Sequence, residues 1–280
     1  MNLERVGRRY GLRGPWVLRE VGLALPAGAL VRITGTNGTG KSTLLRLIAG
    51  IDAPTEGRIS GRPRRTAYVP ERFPAALPFT ASGCLTHLGR VQGLGRADAA
   101  ARAGEWLERF GAGHFADTPL PELSKGSSQK VAVAQALLAG PDLLVLDEAW
   151  TGLDTGARHE LDRAVRERLA AGGTVVFVDH DPRRLAGEAD AEFTVDAGRV
   201  RPGNPRRDDG TRTRVRIVAS GGRPLPEGLP GSPSYEPGVD GTTTVYAVDA
   251  AHSDGLLRAL LDASWHIHQL STEGIRAGRA

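Results

Sequence analysis

The chain has 280 residues, 40% of them hydrophobic, which is enough for one large domain with its own core and a second, smaller domain. Its pI is near 9.6, but the formal net charge is only +4 and acidic residues are interspersed with basic ones, so the composition does not indicate a nucleic-acid partner. The sequence has no apolar run of about eighteen residues that would span a bilayer, and we expect no secretory signal at its start. The single cysteine, Cys84, excludes an internal disulfide and suits a reducing cytosol.

The chain is predicted to open with sheet. Segments 3–6 and 17–25 carry apolar residues with partial alternation, which is typical of strands. Segment 30–34 is a further strand that leads directly into a glycine-rich loop. Short strand candidates follow within 57–69, where prolines interrupt the pattern.

The glycine-rich loop GTNGTGKST, residues 35–43, matches the phosphate-binding template G-x-x-x-x-G-K-[ST] and is followed by helical spacing of leucines. Glycines let the backbone turn and aim its N–H groups at one anion, and the positive end of the following helix points the same way. Lys41 adds a mobile charge for the outer phosphates, and Ser42 offers a hydroxyl to Mg²⁺. We therefore expect a nucleotide to be bound by Gly35, Thr36, Asn37, Gly38, Thr39, Gly40, Lys41, Ser42 and Thr43.

The middle of the chain combines a helical block with buried strands. Residues 80–140 show helical periodicity. The apolar runs at 143–146 and 174–178 indicate strands buried on both faces of a parallel sheet, with an amphipathic helix at 157–171 as the crossover. Two short strands around Gly198 are predicted to close the domain as a hairpin. The expected fold class is α/β with a helical insertion.

The last part of the chain is predicted to be a small α+β domain. Residues 205–213 have the composition of a linker. The following pattern predicts a strand at 214–219, a long Gly/Pro loop, a strand at 242–248, a helix at 253–262 and a strand at 265–270. His266 and His268 would share a face of that last strand; without a third ligand, surface histidines are favoured over a metal site.

A phosphate loop alone leaves kinases, motors, GTPases and transport ATPases open, and a second motif narrows the choice. The sequence has LSKGSSQK at residues 123–130 and PDLLVLDEAWTGLD at 141–154. In these motifs it resembles the ATP-binding cassette (ABC) family, whose signature LSGGQ begins a helix shortly before a strand that ends in Asp-Glu. The resemblance covers residues 1 to about 200. It implies a P-loop NTPase cassette at 1–204, with a RecA-like core, an antiparallel β subdomain and a helical subdomain at about 80–140, joined by the linker to the domain at 214–280.

The resemblance implies a role for each matching side chain around the nucleotide. Tyr10 would stack on the adenine of ATP. Asp147, at the end of a buried strand, would bind Mg²⁺ directly or through water, and the cation would offset the free-energy cost of burying a charged carboxylate. Glu148 would be the general base for the attacking water, and His180, after another buried strand, would contact the γ-phosphate. The catalytic set that the resemblance implies is therefore Lys41, Glu148 and His180.

The resemblance also implies that the site is divided between two subunits. Ser124 and Gly126 would begin a helix that faces the γ-phosphate bound to a second cassette, and Asp154 would lie in the loop that crosses to that partner. One chain carries one phosphate loop and one signature. A second cassette is therefore expected, most simply another copy of this chain.

Three departures from the family pattern affect the expected chemistry. Residues 125–127 read Lys-Gly-Ser where the family has Gly-Gly-Gln, and residues 149–150 read Ala-Trp where it has Pro-Thr. Glu71 replaces a glutamine that touches Mg²⁺; a carboxylate can still ligate the cation but cannot donate a hydrogen bond when ionised. The expected metal set is therefore Ser42, Glu71 and Asp147.

These features predict the ATP-hydrolysing subunit of a transporter, located in the cytoplasm against the inner face of the membrane through a permease on another chain. The segments 79–94 and 105–113 resemble multidrug-type and antibiotic-type exporters, which favours export. Two alternatives remain. One is a nucleotide-gated regulatory protein with little hydrolysis. The other is a nucleic-acid-linked ATPase, although the sequence has neither the second cassette nor the long coiled coil typical of such family members.

Overall fold

The computed structural model describes residues 1–11, 14–71, 73, 77–203, 213–221, 229, 233–238, 243–249 and 253–274. The chain forms two compact units, Met1–Arg207 and Asp208–Ala280. The linker predicted at 205–213 lies almost wholly outside the described residues. Among the helices of the described part, none is both long and apolar enough to cross a membrane.

The first unit opens with a three-stranded antiparallel sheet. Its strands are β1 (Asn2–Arg9), β2 (Trp16–Ala24) and β4 (Glu56–Ser60), in the order β2-β1-β4. Apolar residues of β1 and β2, such as Val6 and Leu18, are fully buried on one face, whereas charged residues such as Glu4 and Arg19 are exposed, with the alternation interrupted by register shifts in the pairing. This alternation is what makes the sequence form a sheet with one solvated face.

A six-stranded sheet forms the core of the first unit, in the order β5-β6-β7-β3-β8-β9. The first five strands run parallel, and β9 pairs antiparallel to β8 as the predicted hairpin. Every residue of β6 and β7 is buried, so the continuous apolar runs do mark strands covered on both faces. The strands are β3 (Leu30–Thr34), β5 (Thr66–Val69), β6 (Leu143–Asp147), β7 (Thr174–Val178), β8 (Ala191–Asp196) and β9 (Arg199–Pro202).

Among its described residues, the first unit also has five α-helices and two short 3-10 helices. Helix α1 (Lys41–Ala49) follows β3, and α5 (Thr155–Ala170) connects β6 to β7. The helical block consists of α2 (Ala81–Val91), α3 (Arg96–Arg109) and α4 (Lys125–Leu137). Helix α4 is apolar nearly all round in its second half and is buried there, which ties the block to the parallel sheet.

In the part of the second unit that the structure describes, a four-stranded antiparallel sheet is accompanied by one helix. The order of its strands is β11-β12-β10-β13, and its core contains Ile217, Tyr246 and Leu256. Its elements are β10 (Thr213–Ser220), β11 (Ser234–Pro237), β12 (Thr243–Asp249), α6 (Ser253–Asp262) and β13 (His266–Gly274).

Two features of the second unit bear on the sequence predictions. Strand β11 lies inside the segment predicted to be a long loop; all four of its residues are exposed at the sheet edge, so no alternation of apolar residues marks it. The rings of His266 and His268 lie 5.1 Å apart, and Ser220 Oγ is 2.6 Å from His268 Nε2. Among the described residues, no cluster of three metal-ligating side chains includes them.

Candidate functional site

The phosphate loop lies between β3 and α1, and two of its glycines are required by geometry. Gly35 has a φ of 140°, and a Cβ there would collide with the carbonyl oxygen of Val195. Gly40 has a φ of 106° and precedes α1, where no described side chain caps the helix. The first N–H groups of α1 are therefore left to face the loop, as an anion site requires.

Lys41 is folded into this loop. Its Nζ donates to the carbonyl oxygens of Gly35 at 2.9 Å and Thr36 at 3.0 Å, and the residue is only 8% exposed. Thr39 Oγ1 donates to the same Thr36 oxygen at 2.9 Å. Because these carbonyls are neutral, the ammonium charge at the centre of the loop remains available to an anion.

The loop forms the floor of an open cleft of about 400 Å³, within the usual range for small-molecule sites. The cleft brings together residues from distant parts of the chain. Its lining consists of Tyr10, Val17, Asn37, Gly38, Gly40, Lys41, Ser42, Thr43, Glu71, Glu148 and His180.

One wall of the cleft is flat and partly apolar. Tyr10 is 46% exposed as a residue, and its hydroxyl donates to Asp52 Oδ2 at 3.2 Å and lies 3.4 Å from Thr43 Oγ1. The Arg8 guanidinium lies 4.8 Å from the ring centroid, so the ring is held on one side. Val17 belongs to the same lining and was not predicted from the sequence.

Asp147 lies at the carboxyl end of β6, beneath the start of α1. It is 2% exposed, and its Oδ1 accepts a hydrogen bond from Ser42 Oγ at 3.2 Å while Oδ2 accepts one from Tyr68 Oη at 2.9 Å. Burial raises the pKa of Asp147 above its ordinary value, although the two hydroxyls oppose this. Burial, followed by the charge of Asp147, raises the pKa of Tyr68.

A hard cation fits this arrangement. A carboxylate and a hydroxyl are oxygen donors of the kind Mg²⁺ prefers, and a buried carboxylate gains from a nearby positive charge. Glu71 lies in the same cleft as Ser42, so the predicted metal set of Ser42, Glu71 and Asp147 is brought to one region.

Glu148 and His180 meet at the mouth of the cleft. Glu148 Oε1 lies 2.7 Å from His180 Nε2, and the Glu148 backbone has a φ of 52°, an uncommon value for a residue other than glycine. Its N–H donates to the Val178 carbonyl at 3.0 Å, which fixes the turn. Burial raises the pKa of the Glu148 carboxyl, and the neighbouring charge of His180 opposes this.

Ser124, Gly126 and Asp154 do not line this cleft. Ser124 is the N-cap of α4 and accepts from the N–H of Ser127 at 3.1 Å. A Cβ at Gly126 would lie 2.9 Å from the carbonyl oxygen of Gly152, so the start of α4 packs directly against the loop after Glu148.

Asp154 joins the same region by an ion pair. It is the N-cap of α5, accepts from Ala157 N at 2.9 Å, and lies 2.7 Å from Lys130 Nζ on α4. The hydrogen bond from Lys130 holds the pKa of Asp154 below its ordinary value. The starts of α4 and α5 therefore present one joined surface.

Gln129 is a buried contact that the sequence reasoning missed. Its Nε2 donates to the carbonyl of Ala149 at 3.3 Å and approaches that of Pro70 at 3.5 Å. It thereby connects α4 with the residue before Glu71 and the residue after Glu148. No local pattern marks this contact, because it depends on three segments meeting.

Comparisons with known proteins agree with this geometry. The family model described as ABC transporter matches residues 18–151. The zinc import ATP-binding protein ZnuC of Cereibacter sphaeroides is 37% identical over 68% of this chain and 77% of its own. The aliphatic sulfonates import ATP-binding protein SsuB of Rhodopseudomonas palustris is 38% identical over 66% and 67%.

A solved structure supports the same assignment. A dimeric ATP-binding cassette in a post-hydrolysis state, bound to ADP and Pi, has a TM-score of 0.65 and 25% identity, covering 73% of this chain and 98% of its own. The predicted fold class is confirmed. The expected resemblance to exporters is contradicted by the curated relatives, which are named as import proteins. The chain belongs to the ATP-binding subunits of ABC transporters and is an ATPase.

Proposed function

We propose that this chain closes as a dimer on ATP, hydrolyses it, and thereby drives a separate membrane-spanning permease in an import-type transporter. The observation that carries the proposal is the 2.7 Å contact between Glu148 Oε1 and His180 Nε2 beside the phosphate loop. A carboxylate oriented by an imidazole at the edge of a phosphate site is suited to activating water.

The chain's own residues account for the binding of ATP. The N–H groups of the loop and the ammonium of Lys41 form a positive cradle for the phosphates. The flat wall formed by Tyr10 and Val17 suits an adenine ring. Ser42 and Asp147, with Glu71 as a further oxygen donor, would hold Mg²⁺. When bound, Mg²⁺ neutralises charge that develops on the phosphates.

Hydrolysis would proceed by in-line attack of water on the γ-phosphorus. Glu148 accepts a proton from the water as the new P–O bond forms, and the bond to the β,γ-bridging oxygen breaks to leave ADP. The raised pKa of Glu148 makes it a stronger base than an ordinary carboxylate. His180 holds the Glu148 side chain and lies where it can donate to a γ-phosphate oxygen.

A second copy of the chain would complete the site. Ser124 and Gly126, at the start of α4, and Asp154, at the start of α5, lie outside the cleft of their own chain. The positive end of the α4 dipole makes the start of this helix a suitable anion contact for the γ-phosphate held by a partner. ATP would therefore join two copies, and its hydrolysis would release them.

The relatives support the proposed direction of transport, and the proposed permease gives the location. A zinc import subunit and a sulfonate import subunit are similar to this chain at nearly equal identity, which supports import and shows that the likeness does not specify the cargo. A permease on another chain would place this subunit on the cytoplasmic face of the membrane. Nucleic acid has no role in this scheme.

The test is ATP-dependent dimerisation of a variant that cannot turn over. Glu148→Gln keeps the shape of the side chain but cannot accept the proton, so it should form a stable dimer with ATP, measured by light scattering, while the wild type hydrolyses ATP. Ser124→Arg in the same background is the matched control and should remain monomeric with ATP bound. A Glu148→Gln protein that stays monomeric, together with a wild type that releases no phosphate, would overturn the proposal.

A further inference from the structure

Trp150 lies two residues beyond Glu148, where its large side chain is fully buried. It is 2% exposed, and its indole Nε1 donates to Asp162 Oδ1 on α5 at 2.8 Å. The indole also packs edge-on against Phe177 of β7, with ring centroids 5.8 Å apart. Tryptophan therefore contributes both a rigid apolar body and a directed donor at this position.

Arg184 lies four residues beyond His180 and completes the same contact. Its guanidinium donates to Asp162 Oδ2 at 2.9 Å and lies 5.4 Å from the Trp150 ring centroid. The side chains of Arg184 and Asp162 are each only 13% exposed. Both oxygens of the largely buried Asp162 carboxylate therefore accept a hydrogen bond. One donor, Trp150, follows Glu148 in the chain, and the other, Arg184, follows His180.

The backbone that follows His180 also accepts hydrogen bonds from a side chain of β3. Arg32 on β3 donates to the carbonyls of Asp181 at 2.9 Å, Pro182 at 3.1 Å and Arg184 at 3.3 Å. Arg184 Nε is buried without a hydrogen-bond partner among the described residues and lies 3.9 Å from Asp179 Oδ2. The Arg184 side chain is therefore drawn toward the residue that precedes His180.

We propose that Trp150, Asp162 and Arg184, here named the Trp150 clamp, are positioning residues that hold Glu148 and His180 at their 2.7 Å separation during hydrolysis. The inference rests on the proposed function. The clamp touches neither the cleft nor the phosphate loop, so its effect is on turnover and not on nucleotide affinity.

Two properties of the site make such a clamp necessary. Glu148 has its backbone in the left-handed region, which persists only where neighbours hold it. His180 has a side chain that is 55% exposed, so its ring is not fixed by packing around itself. The clamp connects the chain after each of these residues to one carboxylate on α5, so a shift of either segment breaks a shared contact.

The experiment compares turnover with binding in clamp variants. Trp150→Phe keeps an aromatic ring but removes the N–H donor. Arg184→Lys keeps the positive charge but removes the planar guanidinium, and this variant carries the test if Trp150→Phe does not fold. We expect the single-turnover hydrolysis rate to fall about ten- to hundredfold in each, as misplaced catalytic groups do. Affinity for ATP should stay within about threefold, and Glu148→Gln combined with either variant should still dimerise with ATP.

Matched controls separate positioning from general stability. Trp106→Phe changes a tryptophan of α3 outside the clamp, and Arg65→Gln removes a two-pronged pair with Asp142, at 2.8 and 3.4 Å, just before β6. Both should hydrolyse ATP at the wild-type rate. Clamp variants that fold and hydrolyse ATP like these controls overturn the inference while the proposed function stands. A silent wild type overturns the proposed function itself.

Discussion

Tyr68 donates its hydroxyl to Asp147 Oδ2 at 2.9 Å across neighbouring strands of the parallel sheet. Ser42 approaches the other carboxylate oxygen, so Asp147 is held from two sides. Asp147 thereby presents a fixed orientation toward the cleft, and the side chain that fixes it is 79 residues away in the chain. Hydrogen bonds behind a ligating group commonly set its orientation and basicity.

Removing the Tyr68 hydroxyl tests this relationship. Tyr68→Phe leaves the ring in place but leaves Oδ2 of Asp147 without its donor. We expect the Mg²⁺ concentration for half-maximal ATP hydrolysis to rise about tenfold, as is common for such supporting hydrogen bonds. A titration of the hydrolysis rate with Mg²⁺ checks this, with Tyr235→Phe on the exposed β11 as the control. An unchanged Mg²⁺ requirement would show that Tyr68 supports only the sheet.

Gly35 and Gly38 offer a matched test of the loop. Both have positive φ, of 140° and 80°, but only at Gly35 does an added Cβ meet a backbone oxygen. Gly38→Ala should therefore lower the free energy of unfolding by about 1–2 kcal/mol, the cost of the backbone conformation alone. Gly35→Ala should lower it further. Urea unfolding without nucleotide measures both values, and equal losses would contradict the predicted collision with Val195.

The ion pair of Asp154 predicts a pH dependence of stability. Lys130, followed by the N–H of Ala157, holds the folded-state pKa of Asp154 below its ordinary value of 3.8. The stabilising charge is therefore present above that ordinary value and is lost as the pH falls through the lower folded-state pKa. The same side chain also caps α5.

Two variants at Asp154 separate the charge from the cap. Asp154→Ala removes both the cap and the ion pair, and the lost cap should cost about 1 kcal/mol of unfolding free energy. Asp154→Asn keeps a capping oxygen and loses only the ion pair. The difference between wild type and Asp154→Asn should shrink as the pH is lowered from about 6 to about 3. A difference that does not change with pH in urea unfolding would show that the Lys130 pair contributes nothing.

Strands, helices and loops that have their own local sequence pattern were predicted well. Strand β3, the phosphate loop and α1 follow one another without a gap, and the buried run of β6 leads directly to Glu148. Each of these elements has its own local pattern of apolar residues or glycines. The edge strand β11 has none, because its four residues are exposed at the sheet edge, where they pair with β12.

Some contacts between distant segments had no counterpart in the sequence predictions. Tyr68, Val17 and Gln129 acquire their places only when separate strands and helices pack together. The export prediction failed for a related reason. Residues 79–94 and 105–113 have apolar side chains that pack on the unit's own core, such as Leu85 and Leu107, so their pattern records packing and not the direction of transport.

Glu71 in the cleft predicts opposite effects on ATP with and without metal. Its carboxylate shares the cleft with the phosphate loop and acts on the pKa of both Asp147 and Glu148, in each case after the larger effect of burial. A negative charge there repels the phosphates unless Mg²⁺ lies between them. Glu71→Gln should therefore strengthen ATP binding in EDTA about three- to tenfold, the effect of one partly screened charge.

In Mg²⁺ the same variant should lose affinity for the metal, because one oxygen ligand with a full charge is replaced by a neutral amide oxygen. Titration of a fluorescent ATP analogue in EDTA and in Mg²⁺ measures both effects on one protein sample. Arg199→Gln, on β9 and outside the lining of the cleft, is the control that changes the charge by one unit in the opposite direction. Effects of the same sign in both conditions would place Glu71 outside the metal set and leave Ser42 and Asp147 as the remaining members of that set.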